Sequence, residues 1–319
     1  MNTSDIQQKI RDEAKRLLES GEVYLVIGFE EGSTRARCTP AFITKPEDVE
    51  KLIWSPACAN NLAVYVREAV KDGRVAVILK ACDTRALVAQ MQEKQIKRED
   101  VVIIGVACGG MLDVEKLPAS GIDEGAITEV TWAGPDVTVV TEGGSVTVER
   151  PLIVKASCLS CQYTKPPIAD ILIGDFPEPG EGILSLSKDA VLPMTPEERR
   201  EYWAKQFSRC IRCYACRQVC PNCYCTECFV DKIAPKWVSR KQDTENAWMF
   251  HLTRAMHLAG RCIDCGECER VCPMGIPLRE LTDEIRREVK ELWGYEAGLD
   301  PDAEPALGAF ADTDEGPEG

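Results

Sequence analysis

The 319-residue chain is long enough for two domains, and its 45% hydrophobic and 28% charged residues are typical of a folded chain rather than a disordered one. Asp and Glu number 52 and Lys and Arg 38, a formal charge of −14, which argues against nucleic acid as the main partner because phosphate binding needs a basic surface. No window approaches the roughly 18 consecutive apolar residues of a membrane span. The first residues also lack the apolar segment of a secretory signal, so we expect a cytoplasmic protein with no membrane span.

The first 165 residues alternate between helices and short apolar strands. In chain order we predict an amphipathic helix over 4–19, a strand over 23–29, a helix over 61–71, a strand over 74–80, a helix to about residue 94 capped by Asp83, and a strand over 101–106. Such alternation is typical of a mostly parallel sheet covered on both faces. From Ala126 to Val154 the pattern has period two, with Gly143 and Gly144 between two runs, which predicts an antiparallel hairpin or meander added to this sheet.

The second half of the chain has the pattern of a helical domain. Thr195, Pro196 and Glu198 form a capping box with proline at the first helical position. We predict helices over 196–207, 244–259 and 278–293. We assign one stripe of the middle helix to the hydrophobic core: Trp248, Leu252, Ala255, Met256 and Ala259.

These patterns predict an α/β domain over 1–165, a Pro- and Gly-rich linker over 166–194, an all-α domain over 195–295 and an acidic tail over 296–319. The fold class is therefore a mostly parallel α/β domain with an antiparallel extension, followed by an all-α domain. We expect the tail to dock a partner or to solubilise the chain.

Cysteine is the unusual component, with 17 cysteines against two histidines. In a reducing compartment, thiols serve as metal ligands or redox groups more often than as disulfides. The positions of the cysteines therefore indicate the chemistry.

The strongest signal is a cysteine motif that occurs twice, each time with spacings of two, two and three residues and a following proline, Pro221 or Pro273. This spacing is typical of a ferredoxin with two 4Fe–4S clusters, in which each iron takes one thiolate and the fourth cysteine of each motif ligates the other cluster. The first predicted ligand set is Cys210, Cys213, Cys216 and Cys272, and the second is Cys262, Cys265, Cys268 and Cys220.

Zinc is the alternative metal for these thiols, and a zinc-bound scaffold without redox activity is the corresponding alternative function. Structural zinc prefers two ligand pairs separated by a longer loop, rather than four cysteines in a short run that ends in proline. The spacing favours iron–sulfur clusters.

Four cysteines of the first half follow predicted strands. Cys82 follows strand 74–80, Cys108 follows strand 101–106, and Cys158 and Cys161 follow the segment Leu152–Ala156. If the strands are parallel neighbours, these cysteines meet at the carboxyl edge of the sheet, where ligands bind. They are candidate ligands of a third 4Fe–4S cluster. The alternative is that Cys82 and Cys108 are small buried core residues.

A further group, Cys223, Cys225 and Cys228, directly follows the first motif. These cysteines are either part of another metal site, with Cys58 or Cys38 as a distant fourth ligand, or packing or redox-sensitive thiols beside a cluster. We favour the second interpretation because a site needs an identified fourth ligand.

The two histidines, His251 and His257, lie six residues apart on one predicted helix and therefore on different faces, so ordinary polar roles are favoured over metal binding. Arginines in and beside the cysteine loops can offset the negative charge of thiolate-ligated clusters. These arginines are Arg209, Arg212, Arg217, Arg261 and Arg270.

Two resemblances rest on these motifs. The paired motifs with a helix between them, within residues 195–293, resemble the α-helical ferredoxin domain of the heterodisulfide reductase small subunit and of succinate dehydrogenase iron–sulfur subunits. The segments around Cys82, Cys108 and Cys158 resemble the beta subunits of coenzyme F420-reducing hydrogenases and formate dehydrogenases. In that family these segments surround a 4Fe–4S cluster beside FAD.

The order of the parts departs from that family, since here the ferredoxin-like cysteines follow the α/β domain. The chain therefore resembles more closely the dicluster proteins of heterodisulfide-reductase-linked complexes. FAD is implied by the resemblance alone, because the sequence has neither a G-x-G-x-x-G fingerprint after a strand nor a P-loop.

The sequence thus predicts an electron-transfer subunit of a cytoplasmic, anaerobic oxidoreductase complex. It would relay single electrons through its clusters between other subunits, such as a flavoprotein or a hydrogenase-, formate dehydrogenase- or heterodisulfide reductase-like partner. The alternative is a catalytic beta subunit that holds FAD and exchanges a hydride with a deazaflavin or similar carrier.

Overall fold

A computed structural model describes residues 3–134, 136–176, 194–306 and 308. The strands, in chain order, are β1 (Leu25–Thr34), β2 (Arg37–Ile43), β3 (Val75–Leu79), β4 (Val101–Val106), β5 (Ile127–Ala133), β6 (Asp136–Thr141), β7 (Gly144–Glu149) and β8 (Ile171–Ile173). The helices are α1 (Thr3–Glu19), α2 (Ala63–Ala69), α3 (Ala81–Gln92), α4 (Arg150–Ile153), α5 (Ala156–Leu159), α6 (Pro196–Ser208), α7 (Ala215–Gln218), α8 (Thr244–His257), α9 (Glu267–Arg270) and α10 (Leu278–Trp293).

The main sheet has five strands in the order β2-β1-β3-β4-β8. β1, β3, β4 and β8 run parallel, and β2 is antiparallel to β1. β3 and β4 are buried along their whole length because helices cover both faces of the sheet. The mostly parallel α/β sheet is confirmed.

Strand β2 was not predicted from the sequence. Pro40 lies in the middle of this strand, opposite Phe29 of β1, and proline normally argues against a strand. β2 is an edge strand, where a missing backbone N–H removes no hydrogen bond to a further strand.

The antiparallel extension is confirmed, and β5, β6 and β7 form a three-stranded sheet of their own rather than extra strands of the main sheet. It has a separate apolar core that includes Val130, Val137 and Val139. Trp132 donates a hydrogen bond from Nε1 to the carbonyl of Gly110 at 2.9 Å. The small sheet therefore supports the loop that follows β4.

Asp83 does not cap α3, contrary to prediction. The helix begins at Ala81, and Asp83 lies in its first turn, paired with Lys80 at 2.8 Å. Both side chains are almost completely buried, and a buried lysine needs a counter-charge. The Asp83 carboxylate therefore pairs with Lys80 instead of capping the free backbone N–H groups of the helix.

The C-terminal part of the described chain contains helices α6 to α10, and the predicted capping box of α6 is present. The backbone N–H of Glu198 donates to Thr195 Oγ1 at 3.2 Å, and that of Thr195 donates to Glu198 Oε2 at 2.8 Å. An apolar cluster with Trp203, Phe207 and Phe250 lies between α6 and α8.

The predicted core stripe of α8 is wrong in part. Leu252 and Met256 are 42% and 61% exposed, whereas His251 and Arg254 are buried. The buried side of this helix contributes Ala247, Phe250 and Ala255 to the apolar cluster and also faces the cysteine loops with His251 and Arg254, so its buried side is not its most apolar stripe.

Residues 177–193, 307 and 309–319, which include most of the predicted linker and half of the predicted tail, lie outside the described residues. β8 falls within the predicted linker, and the start of the predicted tail packs on α3. Arg85 donates to the carbonyl of Ala297 at 2.8 Å, and Gln92 to that of Asp300 at 2.6 Å. In the described ranges, no helix is both long and apolar enough to span a bilayer.

Candidate metal centres

The two cysteine motifs fold into loops with the same backbone path. In each loop the second and fourth residues after the first cysteine have left-handed conformations: Arg212 and Tyr214 at φ 50° and 59°, and Asp264 and Gly266 at φ 61° and 73°. A single helical turn, α7 or α9, follows in each case. Left-handed φ angles are uncommon in residues other than glycine. Their recurrence at matching positions indicates that the two loops have the same role.

Each loop closes around a small cavity. The structure brings together Cys210, Cys213, Cys216 and Cys272 around one of them. It brings together Cys220, Cys262, Cys265 and Cys268 around the other. The fourth cysteine of each motif thus lies with the first three of the other motif, as in the predicted ligand sets.

Hydrogen-bond donors surround the first set of sulfurs. The backbone N–H of Arg212 donates to Cys210 Sγ at 3.3 Å, and that of Ile276 donates to Cys272 Sγ at 3.5 Å. His251 Nε2 lies 3.2 Å from Cys210 Sγ. Burial, with Arg254 nearby, lowers the pKa of His251 to about 3, so the ring is neutral at neutral pH. Hydrogen bonds to thiolate sulfurs are one of the means by which a protein sets the potential of a cluster.

Arg254 lies between the two cysteine sets. Its side chain is buried, lines the cavity of the second set, and donates to the carbonyl of Cys216 in the first set at 3.1 Å. Burial acts to lower the pKa of Arg254, but the thiolates of Cys220, Cys268 and Cys216 outweigh it and raise the pKa. A buried cation among thiols, with its Nε unpartnered among the described residues, suits the anionic, thiolate-ligated clusters that the motifs imply.

The four cysteines of the first half also meet, as the topology predicts. Cys82 in the first turn of α3, Cys108 after β4, and Cys158 and Cys161 in and after α5 line one cavity of about 670 Å3. The backbone N–H groups of Gly110 and Met111 point to Cys108 Sγ at 3.4 Å and Cys158 Sγ at 3.3 Å, respectively.

The cysteines of this group line the cavity, and Cys82, Cys108 and Cys158 also pack against the apolar core. Burial, with the nearby Cys158 thiolate, raises the pKa of Cys108 to about 12. A bound metal lowers the pKa of such a thiol and makes it a ligand. The donor set and its N–H partners therefore suit a thiolate-ligated cluster better than a packing role.

The remaining wall of this large cavity carries charged groups from both halves of the chain. Its acidic members include Asp83, Asp264 and Glu267. Its basic members include Arg150, Lys155, Arg279, Arg286, Arg287 and Lys290. A cavity of this volume is in the range of cofactor sites, and its basic groups suit an anionic molecule.

A buried ion pair joins the two halves at this point. Lys155 Nζ lies 2.8 Å from Glu267 Oε1 and donates to the carbonyl of Cys265 at 3.1 Å. Burial acts to raise the pKa of Glu267, but Lys155 and Arg270 outweigh it and lower the pKa to about 2. Cys265 lines both the large cavity and the cavity of the second motif set, so the two sites are neighbours.

Sequence reasoning missed Arg254 and the pair of Lys155 with Glu267. Lys155 lies three residues before Cys158, and Glu267 lies between two predicted ligands, so proximity to cysteines was the available signal. Nothing in the sequence indicated that either side chain is buried.

Comparisons with known proteins agree with the motifs. A family model described as "4Fe-4S dicluster domain" matches residues 209–277. A second model, for the C terminus of the beta subunit of coenzyme F420 hydrogenase/dehydrogenase, matches residues 72–191. The chain therefore contains a segment that matches a 4Fe–4S dicluster domain and a segment that resembles these beta subunits.

Similar proteins include the F420-dependent formate dehydrogenase 1 subunit beta of Methanococcus maripaludis, 27% identical over 94% of this chain and 92% of that protein. The F420-dependent formate dehydrogenase subunit beta of Methanocaldococcus jannaschii is 26% identical, over 91% of each chain. The succinate dehydrogenase iron-sulfur subunit of Bacillus subtilis is 31% identical over 108 residues, which are 30% of this chain and 40% of that protein.

A chain of the F420-reducing [NiFe] hydrogenase complex from Methanosarcina barkeri is 19% identical, and the match covers 50% of this chain and 63% of that chain. Its TM-score of 0.41 is too low to establish a common fold.

Replacing Lys155 by methionine removes one partner of the buried ion pair and leaves Glu267 with Arg270 alone. Breaking a buried pair costs several kcal/mol, and because Arg270 remains we expect the free energy of unfolding to fall by roughly 3 kcal/mol. Anaerobic urea unfolding measures this. Lys71→Met, which removes an exposed pair with Glu68, is the matched control and should change stability little. Equal losses in the two variants would contradict a structural role for this pair.

We expect glycine at position 266 to contribute to stability, because this residue lies where the two halves of the chain are in contact. Gly266 and Gly275 both have left-handed φ angles, 73° and 56°, so alanine costs similar strain at each. A Cβ on Gly266 would lie 2.7 Å from Ser157 Oγ, which donates to the Cys265 carbonyl, whereas Gly275 has nothing within 4 Å. We expect Gly266→Ala to lower the free energy of unfolding by roughly 1 kcal/mol more than Gly275→Ala, the value of one hydrogen bond. Equal values in urea unfolding would show that this contact contributes nothing.

Proposed function

We propose that the protein is an electron-transfer subunit of an oxidoreductase complex, and that its cysteine groups hold three 4Fe–4S clusters in a row. The observation that carries this proposal is that the large cavity shares walls with the cavity of the second motif set, and that one buried arginine links the second set to the first. Ile263, Asp264, Cys265 and Arg279 line both the large cavity and the cavity of the second motif set. Arg254 connects the second set to the first through its hydrogen bond to the Cys216 carbonyl.

The ligands in this proposal are the three sets of four cysteines described above. Bound 4Fe–4S clusters supply one-electron carriers. The contribution of the chain is to hold them close together and to place compensating cations beside their thiolates. Lys80, Lys155 and Arg254 are buried and supply these cations.

The domain organisation belongs to the same proposal. Residues 1–165 form the α/β unit that carries Cys82, Cys108, Cys158 and Cys161, and β8 of the predicted linker adds an edge strand to its main sheet. Residues 195–295 form an α-helical ferredoxin domain. The paired loops and the helices α6, α8 and α10 around them support this assignment. The partners are other subunits of a redox complex in the cytoplasm, because similar proteins are named as subunits of formate dehydrogenases. A link to heterodisulfide reductase stays a prediction.

A second candidate function is supported by the large cavity. Its volume of about 670 Å3 and its basic wall suit FAD beside the third cysteine group. With FAD bound, the chain would be a catalytic beta subunit that exchanges a hydride with a deazaflavin or similar carrier. Arg286 and Lys290 line the cavity and would hold the anionic part of the cofactor in exchange for their ion pairs with Asp283 and Glu296.

Loss of a ligand from the third group tests the relay. We expect Cys82→Ala and Cys158→Ala each to lower the iron of anaerobically purified protein by about four atoms per chain, because a 4Fe–4S cluster needs four ligands. Cys38→Ala, at a buried cysteine that lines none of the three cavities, is the control. Unchanged iron and sulfide in the two variants would show that these cysteines are structural.

The flavin alternative is tested by titrating the purified protein with FAD. If FAD occupies the large cavity, Arg286→Ala should raise its dissociation constant at least roughly tenfold, the value of a hydrogen bond to a charged group. Arg200→Ala, at an exposed arginine that does not line the cavity, should leave affinity unchanged. If the purified protein contains no FAD and binds none in the titration, the flavin alternative is excluded and the electron-transfer proposal remains.

A further inference from the structure

Three cysteines that neither the paired motifs nor the third group use lie together in a cavity of their own. Cys223, Cys225 and Cys228 line it, and it contains none of the twelve cysteines assigned above. It is equal in volume to the two cavities lined by the motif cysteines. The group therefore has the same setting as the two motif sets.

The structure provides a candidate for the fourth ligand of this group, which the sequence could not identify. Cys38 and Cys58, the candidates from the sequence, lie in the α/β core on either side of Ser55, with sulfurs 3.7 and 4.0 Å from its hydroxyl oxygen. The cavity is instead lined by His257, the last residue of α8. Among its described lining residues, His257 is the one histidine, and aspartate and glutamate do not occur.

The charges around this cavity match those around the other cysteine sets. Arg217, Arg254 and Arg261 line it. Arg254 is buried, and its Nε is without a hydrogen-bond partner in the described part of the chain. Three thiols beside three arginines suit an anionic group ligated by thiolates.

We propose that Cys223, Cys225, Cys228 and His257 ligate a further iron–sulfur cluster, additional to those of the proposed function. A cluster is favoured over zinc because the group directly follows the first motif and its cavity shares lining residues with that of the second motif set. Histidine in place of one thiolate makes the site less negative, so this cluster has a higher reduction potential than the all-cysteine clusters.

The site lies at the surface and next to the second motif set. Asn222, Arg254 and Leu258 line both cavities. Cys225 and His257 are exposed, whereas the second motif set is partly buried. A cluster here would receive an electron from the relay and pass it to a partner, or carry it in the opposite direction, without any bond being made.

Removal of the whole group tests the proposal on the full-length protein purified without oxygen. The triple variant Cys223→Ala/Cys225→Ala/Cys228→Ala is expected to lose about four iron atoms and four sulfides per chain relative to the unmodified protein. The double variant Cys38→Ala/Cys58→Ala, matched in residue type, is expected to lose none. Full iron content in the triple variant overturns the proposal. So does loss of one zinc per chain with iron unchanged.

A second variant keeps the proposal testable if the triple variant does not fold. His257→Cys is expected to retain all iron and to lower the midpoint potential of one cluster in an anaerobic redox titration followed by paramagnetic resonance. Met256→Cys, at the exposed neighbouring residue, is expected to leave every potential unchanged. Identical titrations for both variants would exclude His257 as a ligand.

The outcome is separable from that of the proposed function. The iron lost from the triple variant is counted against the unmodified protein, however many clusters the other groups hold. If Cys82→Ala and Cys158→Ala lose no iron while the triple variant does, the three-cluster relay fails and the site at Cys223 stands.

Discussion

The buried pair of Lys155 with Glu267 determines how the two halves of this molecule meet. Lys155 belongs to the segment that carries Cys158, and Glu267 lies in the loop that carries Cys265 and Cys268. The pair is buried, and Lys155 also donates a hydrogen bond to the Cys265 carbonyl. Moving the two cysteine groups apart would therefore leave Lys155 and Glu267 without each other as partners, which is costly for buried charges. Electron transfer depends on distance, so a rigid contact at this point serves function as well as stability.

Buried cations are the second general feature. The chain has a formal charge of −14, yet Lys80, Lys155 and Arg254 are buried close to cysteines. Thiolates and bound clusters are anionic, and an anion in a low-dielectric interior needs a nearby counter-charge. These buried basic residues therefore lie where they can compensate the negative charge of thiolates and of a bound cluster. One of them, Arg254, is on the buried side of α8, which is why hydrophobic patterning predicted the buried side of that helix poorly.

Local chemistry in the sequence was a good guide to the elements and the sites. Apolar runs identified β3 and β4, the capping box identified the start of α6, and cysteine spacing anticipated which cysteines share a cavity. Long-range packing was not accessible. β2 was missed because Pro40 is tolerated only at a sheet edge, and the burial of Arg254 depends on loops that lie up to 38 residues away. His257 could not be linked to Cys223 by periodicity, because the two belong to different elements.

The cysteine-lined cavities are arranged as neighbours around the second motif set. The large cavity, formed between the two halves, lies at one end and touches the third cysteine group. The second motif set follows and shares walls on one side with the large cavity and on the other with the Cys223 group. Cys161 of the third group, Cys213 of the first set and Cys225 are exposed, whereas no cysteine of the second set is, so three groups reach the surface around one interior set. A relay between one donor and one acceptor needs two exposed ends, so the third exposed group would allow a further partner, and the proposed histidine ligand would set the potential of that cluster apart from the others.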